Sequence, residues 1–166
     1  MIAQAYVGLG TNLGDRLTNL QCAADLLEGQ TGLRVVASSR VWETDPVGGP
    51  PQPDYLNAVL EVQTDLTARG LLEACQHVEA ALHRERGVRW GPRLIDVDVL
   101  LFDDASIDEP DLAIPHPRLR ERAFVVLPLL ELAPDLMLPG GVPLRSSPAT
   151  GGARPFAPPL RTADGA

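Results

Sequence analysis

The stretch that most constrains the fold is Leu94–Phe102, LIDVDVLLF, an apolar run interrupted at alternate positions by Asp96 and Asp98. Side chains of a strand alternate between its two faces. Ile95, Val97 and Val99 therefore enter a core, while the two carboxylates stand side by side on the opposite face. Burying a bare carboxylate costs several kcal/mol or more unless a partner or a metal compensates it. That face must open to water, meet cations, or do both.

The rest of the chain supplies partners for such a strand. Ala3–Leu9 is a short apolar run that stops at GTNLG and reads as a strand. A helix is predicted from Leu13 to Glu28, with Leu17, Leu20, Ala24 and Leu27 at helical spacing. Leu33–Trp42 is rich in β-branched residues and predicts one strand. A loop dense in proline and glycine follows over residues 44–54. Tyr55–Thr64 alternates, with Leu56, Ala58, Leu60 and Val62 on one face and Tyr55, Asn57, Val59, Glu61 and Gln63 on the other. Thr67 reads as the N-cap of a helix reaching Arg84, with Leu71, Cys75, Val78 and Leu82 as its buried stripe. The order through residue 102 is β-α-β-β-α-β. It predicts an α+β fold, a ferredoxin-like sandwich with an antiparallel sheet and helices packed on it. One domain is expected over 1–138. The Pro/Gly-rich segment 139–166 is expected to be a tail, partly disordered or packed on the surface.

Net charge narrows the function. The chain of 166 residues carries −8 at pH 7, which argues against nucleic acid or an anionic membrane as a partner. All 14 basic residues are arginine. Any phosphate grip must use guanidinium forks and backbone N–H groups, and a P-loop lysine or a lysine Schiff base is excluded. Cys22 and Cys75 fall in helical patterns and are expected to be reduced thiols. The N-terminus has no basic leader and no run reaches membrane-spanning length, so a cytoplasmic location is expected.

Two carboxylates at i and i+2 on a strand can share a pair of divalent cations about 3.5–4 Å apart, and Mg²⁺ suits their hard oxygens. For a D-x-D alone, solvated or arginine-paired carboxylates are the favoured reading. The surroundings favour the metal reading. Arg84, Arg86, Arg89 and Arg93 precede the pair, and His116, Arg118, Arg120 and Arg122 follow it. Arginines concentrated beside such a pair in an acidic protein are what neutralising a triphosphate requires. Gly8, Gly10 and Gly14 in GLGTNLGDR do not fit G-x-G-x-x-G and read as a tight strand-to-helix turn. Tyr55 with Asn57 can stack on and hydrogen-bond a flat heterocycle. Trp42 reads as core, whereas Trp90 lies in a loop among arginines.

The stretches VGLGTNLGDR, ETDPVGGPPQPDYLNAV, RWGPRLIDVDVLLF and IPHPRLRERAFVVLPLLELAP together resemble the 6-hydroxymethyl-7,8-dihydropterin pyrophosphokinases of folate biosynthesis. The resemblance implies transfer of pyrophosphate from ATP to the pterin hydroxymethyl group with release of AMP. It implies that Asp96 and Asp98 hold two Mg²⁺ ions, with ATP as co-substrate, and that Arg84 and Arg93 clamp the phosphates. Arg86, Arg89, His116 and Arg122 would line the nucleotide site. Tyr55 and Phe124 would sandwich the pterin, Asn57 would read its edge, and Thr44, Val47 and Trp90 would complete the pocket. The enzyme is expected to be a monomer with small-molecule substrates only. Asp111 and Ala113 depart from the pattern, because many relatives have a basic residue and a threonine there. Two rivals share the predicted topology: a palm-like nucleotidyltransferase, which would release pyrophosphate, and a ligand-binding regulatory module without turnover.

Overall fold

The computed structural model describes residues 1–45, 53–85, 95–149 and 152–162; of Arg84 and Glu85 it describes only the helical backbone. Five strands carry the architecture: β1 (Ala3–Thr11), β2 (Leu33–Ser38), β3 (Val41–Thr44), β4 (Tyr55–Thr64) and β5 (Asp96–Phe102). Helix α1 (Arg16–Glu28) connects β1 to β2, and α2 (Ala68–Glu85) connects β4 to β5. β1 lies between β4 and β5, antiparallel to both, and β2 and β3 pair with the other edge of β4. This is the expected ferredoxin-like arrangement. Two small hairpins, β6 (Ile107–Glu109) with β7 (Leu112–Ile114) and β8 (Met137–Leu138) with β9 (Val142–Pro143), flank helix α3 (Ala123–Leu132).

The alternation of the strands divides the sheet into two chemically different faces. Ala5, Val7 and Leu9 of β1, Leu56, Ala58, Leu60 and Val62 of β4, and Val97 and Val99 of β5 point toward α1 and α2. They pack against Leu20, Ala24 and Leu27 of α1 and Leu71, Cys75, Val78 and Leu82 of α2. Both helices are N-capped. The Asp15 carboxylate accepts from the Thr18 N–H at 3.2 Å and the Thr67 hydroxyl from the Gly70 N–H at 3.0 Å. Cys22 and Cys75 are free thiols, and burial pushes the Cys75 thiol up to about 12, with Glu79 and Asp98 adding to the shift.

The opposite face is only half covered. Tyr6, Val59, Leu100 and Leu101 form a second core with Val125, Val126 and Leu129 of α3. Pro128 stands inside α3, where a missing N–H ordinarily ends a helix, yet the helix continues to Leu132. Beyond this second core no described element covers the face, and that is where the carboxylates of β5 emerge.

Three local features differ from the sequence reading. The strand expected over 33–42 is two strands lying end to end on β4, broken at Ser39 and Arg40. Ser39 fills the break, because its N–H donates to the Val59 carbonyl and its hydroxyl accepts from the Val59 N–H, both at 2.9 Å. No buried backbone group of Val59 is orphaned by the kink. Gly8 and Gly10 do not belong to a strand-to-helix turn; they lie within β1, and only Gly14, with φ of 62°, serves the turn. Within the segment read as a tail, Ala153–Ala157 forms β10, the edge strand beyond β3, and Leu160 is buried in the main core. At the opposite end of the sheet, the outward N–H of Val97 on β5 donates to the Glu79 carboxylate of α2 at 2.9 Å.

Leu60 is fully buried between the sheet and the two helices. Leu60→Ala should lower the free energy of unfolding by about 2–5 kcal/mol, whereas Leu127→Ala on the exposed side of α3 should change it by less than about 0.5 kcal/mol. Urea denaturation of the two variants checks the contrast.

Candidate active site

Register brings the site together. On the uncovered face, Gly10 of β1 lies opposite Asn57 of β4 on one side and Asp96 of β5 on the other. One step along, Gly8 lies opposite Val59 and Asp98. The central strand thus places no side chain between the amide of Asn57 and the two carboxylates. The result is a trough across three strands, part of a cleft of about 740 Å³. That volume suits a small-molecule site.

Each wall has its own chemistry. Asn57 is buried, and its amide nitrogen donates to the Thr44 hydroxyl at 3.0 Å. The Thr44 bond fixes the amide's orientation and leaves its carbonyl oxygen over Gly10, where an added Cβ would lie 2.9 Å from it. Tyr55, two residues along the same face of β4, lines the cleft beside them. From the other side come His116 and Arg122, then Phe124 in the first turn of α3. The Arg122 guanidinium sits 5.5 Å from the centre of the Phe124 ring, a cation–π contact that orients both. The structure therefore gathers Thr44, Tyr55, Asn57, Asp96, Asp98, His116, Arg122 and Phe124 around one cleft. Arg84 lies in the last turn of α2, its side chain not described. Val47, Arg86, Arg89, Trp90 and Arg93 lie outside the described residues. Trp42 is buried, as its core reading expects, and its indole N–H donates to Glu131.

The carboxylates fit a hard divalent cation. Asp96 is half-buried and Asp98 exposed, on the same face of β5. Among the described residues no group of three or more His, Cys, Asp or Glu side chains is placed to hold a metal. Two carboxylates with the remaining positions left to water and substrate oxygens is the usual way in which Mg²⁺ is bound, rather than a closed protein cage.

His116 lines the cleft, whereas Asp111 lies away from it. Burial pushes the His116 imidazole below its ordinary 6.5; Asp98 opposes that shift, and Arg122 and Arg118 add to it. Nδ1 of His116 accepts the Arg118 N–H at 3.3 Å, so the neutral ring carries its proton on Nε2. Asp111 is engaged elsewhere. Arg69 of α2 holds it through two hydrogen bonds of 2.9 and 3.0 Å and also bonds Glu109, which ties the β6–β7 hairpin to α2. The Arg69 hydrogen bonds hold the Asp111 carboxyl below the usual carboxylate range.

A family profile described as 7,8-dihydro-6-hydroxymethylpterin-pyrophosphokinase (HPPK) matches residues 6–134. The chain belongs to this family. It is 48% identical over 139 residues to the 2-amino-4-hydroxy-6-hydroxymethyldihydropteridine pyrophosphokinase of Methylorubrum extorquens, covering 84% of this chain and 88% of that one. To the protein of the same name from Bacillus subtilis it is 46% identical over 128 residues, 77% of each chain. Among solved structures, an HPPK-DHPS of Plasmodium falciparum superposes with a TM-score of 0.70 at 17% identity, over 87% of this chain and 44% of that one. This likeness is one of fold, and the chain spans less than half of that longer protein. Pyrophosphokinase activity in folate biosynthesis is what HPPK membership carries. Asp111 is not among the side chains lining the cleft.

Two measurements probe this geometry. In the protein without divalent cation, the NMR titration midpoint of His116 should fall below 6.5, and Asp98→Asn should lower it further, because the opposing carboxylate is removed. The unfolded chain then binds the proton first, so His116's contribution to stability declines as pH falls from about 6.5 toward the folded midpoint. A midpoint at or above 6.5 contradicts the assignment. Gly10→Ala, which forces Asn57 off its Thr44 partner, should destabilise the ligand-free protein by about 1–3 kcal/mol. Gly8→Ala should cost less, since its new Cβ meets only the end of the Leu100 side chain at 3.3 Å. Thermal unfolding separates the two.

Proposed function

We propose that the chain transfers pyrophosphate from ATP to the hydroxymethyl group of 6-hydroxymethyl-7,8-dihydropterin in a Mg²⁺-dependent reaction that releases AMP. One observation carries this reading: on the uncovered sheet face, the glycines of β1 separate an oriented amide and an aromatic ring on one side from two adjacent carboxylates on the other. Such a site binds a flat heterocycle at one end and a metal-bound phosphate chain at the other.

The pterin oxygen attacks the β-phosphorus of ATP. The bond from that phosphorus to the oxygen bridging the α-phosphate breaks, AMP departs with the bridging oxygen, and the hydroxyl proton passes to solvent. Tyr55 and Phe124 sandwich the pterin; Asn57, oriented by Thr44, reads its edge, and Val47 and Trp90 complete that pocket. Arg84 and Arg93 clamp the phosphates, with Arg86, Arg89, Arg122 and neutral His116 toward the nucleotide. Asp96 and Asp98 hold the Mg²⁺, two ions by the family pattern. Bound Mg²⁺ supplies charge neutralisation and polarises the attacking hydroxyl. The protein's share is positioning and preorganised positive charge.

The test is an assay for AMP with ATP, Mg²⁺ and the pterin. Asp96→Ala and Asp98→Ala should each lower turnover by at least about 100-fold while circular dichroism and the melting temperature remain those of a folded protein. Pyrophosphate rather than AMP as the released product would identify a nucleotidyltransferase instead.

A further inference from the structure

We infer that Arg154 is a positioning residue for the pterin half of the site, a role that rests on the function just proposed. The family match stops at residue 134, so strand β10 lies beyond it. That strand pairs with β3 so that Ala153 lies opposite Thr44 and Arg154 opposite Glu43. Gly152, just before it, lines the cleft itself. β3 carries Thr44, the partner that orients Asn57, and without β10 it would be the sheet's edge.

The Arg154 side chain spans the two chain segments that deliver Thr44 and Tyr55 to the cleft. Its Nε donates to Glu43 at 3.1 Å, and one terminal nitrogen donates to Asp45 at 3.2 Å and to Asp54 at 2.8 Å. Asp45 follows Thr44 directly and Asp54 directly precedes Tyr55. Two more groups converge on the same junction. Arg16 donates to Glu43 at 3.0 Å and to the Asp54 carbonyl at 2.8 Å, and the Asn12 amide donates to the Pro53 carbonyl at 3.2 Å. The Arg16 guanidinium in turn lies 5.3 Å from the centre of the Phe156 ring on β10. Each exposed ion pair alone contributes little, but one guanidinium shared among three carboxylates forms a network. Its bonds run to the segments that carry Thr44 and Tyr55, on the Asn57 side of Gly10, whereas Asp96 and Asp98 rise from the other side. Its loss therefore falls on the pterin and spares the phosphate end.

The experiment measures KM for the pterin, KM for ATP and kcat, together with equilibrium binding of the pterin by intrinsic fluorescence, for the full chain and for Arg154→Ala. Arg154→Ala should raise both KM and Kd for the pterin by about tenfold and leave KM for ATP and kcat within twofold. Asp54→Asn should shift the pterin in the same direction, and the double variant should be no worse than the more severe single one. Arg145→Ala, which breaks a solvent-exposed pair with Asp135, should change nothing. A pterin Kd unchanged in Arg154→Ala overturns the inference, as does an equal rise in both KM values, which would mark a general loosening of the fold. A wild-type chain that binds the pterin without forming AMP would sink the proposed reaction alone, and the variant's Kd would still judge Arg154. A wild-type chain that does not bind the pterin overturns both.

Discussion

Gly10 is flanked by Asn57 on one neighbouring strand and by Asp96 on the other, and that three-strand row depends on register alone. Strand side chains repeat every two residues, so a slip of one position would send Asp96 and Asp98 into the helices and Val97 and Val99 into water. The many leucines, valines and alanines packed under the sheet prevent that slip. The hydrophobic core does more than stabilise the fold. It holds two carboxylates and an amide at fixed places on the opposite surface, with bare backbone between them. The geometry of the cleft follows from packing on the opposite face.

That coupling also explains the division of the uncovered face. α3 fills one half with a second apolar core, and its first turn presents Phe124 to the other half, just after Arg122. The cleft is walled by the end of a packed helix rather than by loops alone. Lysine is absent from this acidic chain, and each arginine guanidinium can bond several oxygens at once.

Much of this was legible in the residues. Alternation assigned Tyr55–Gln63 and Ile95–Val99 to their faces, and the structure keeps those assignments; past Val99 a bulge turns Leu101 to the second core and Phe102 toward the main one. The adjacent carboxylates, Tyr55 and Asn57 stood out because polar groups at fixed parity within apolar strands require an explanation. What escaped was whatever depends on non-local pairing. The break between β2 and β3 is held by Ser39 bonding to Val59 across the sheet, and a serine in a β-branched run gives no local sign of it. β10 contains Pro155 and little alternation, so only its docking against β3 makes it a strand. Gly8 and Gly10 read as turn residues because glycine usually marks a turn; their use as the floor of a trough appears only once Asn57 and Asp96 stand beside them. Arg86, Arg89 and Arg93 lie outside the described residues, and only the motif speaks for a place in the site.

The capped N–H of Val97 has a consequence beyond the cleft. β5 ends the sheet, and an end strand with open amides is a template on which another chain can add and start a fibril. Here one outward amide is already occupied by a helix-borne carboxylate, so an incoming strand would have to displace a charged acceptor to bond there. The strand that carries Asp96 and Asp98 is thereby a poorer template for its own kind.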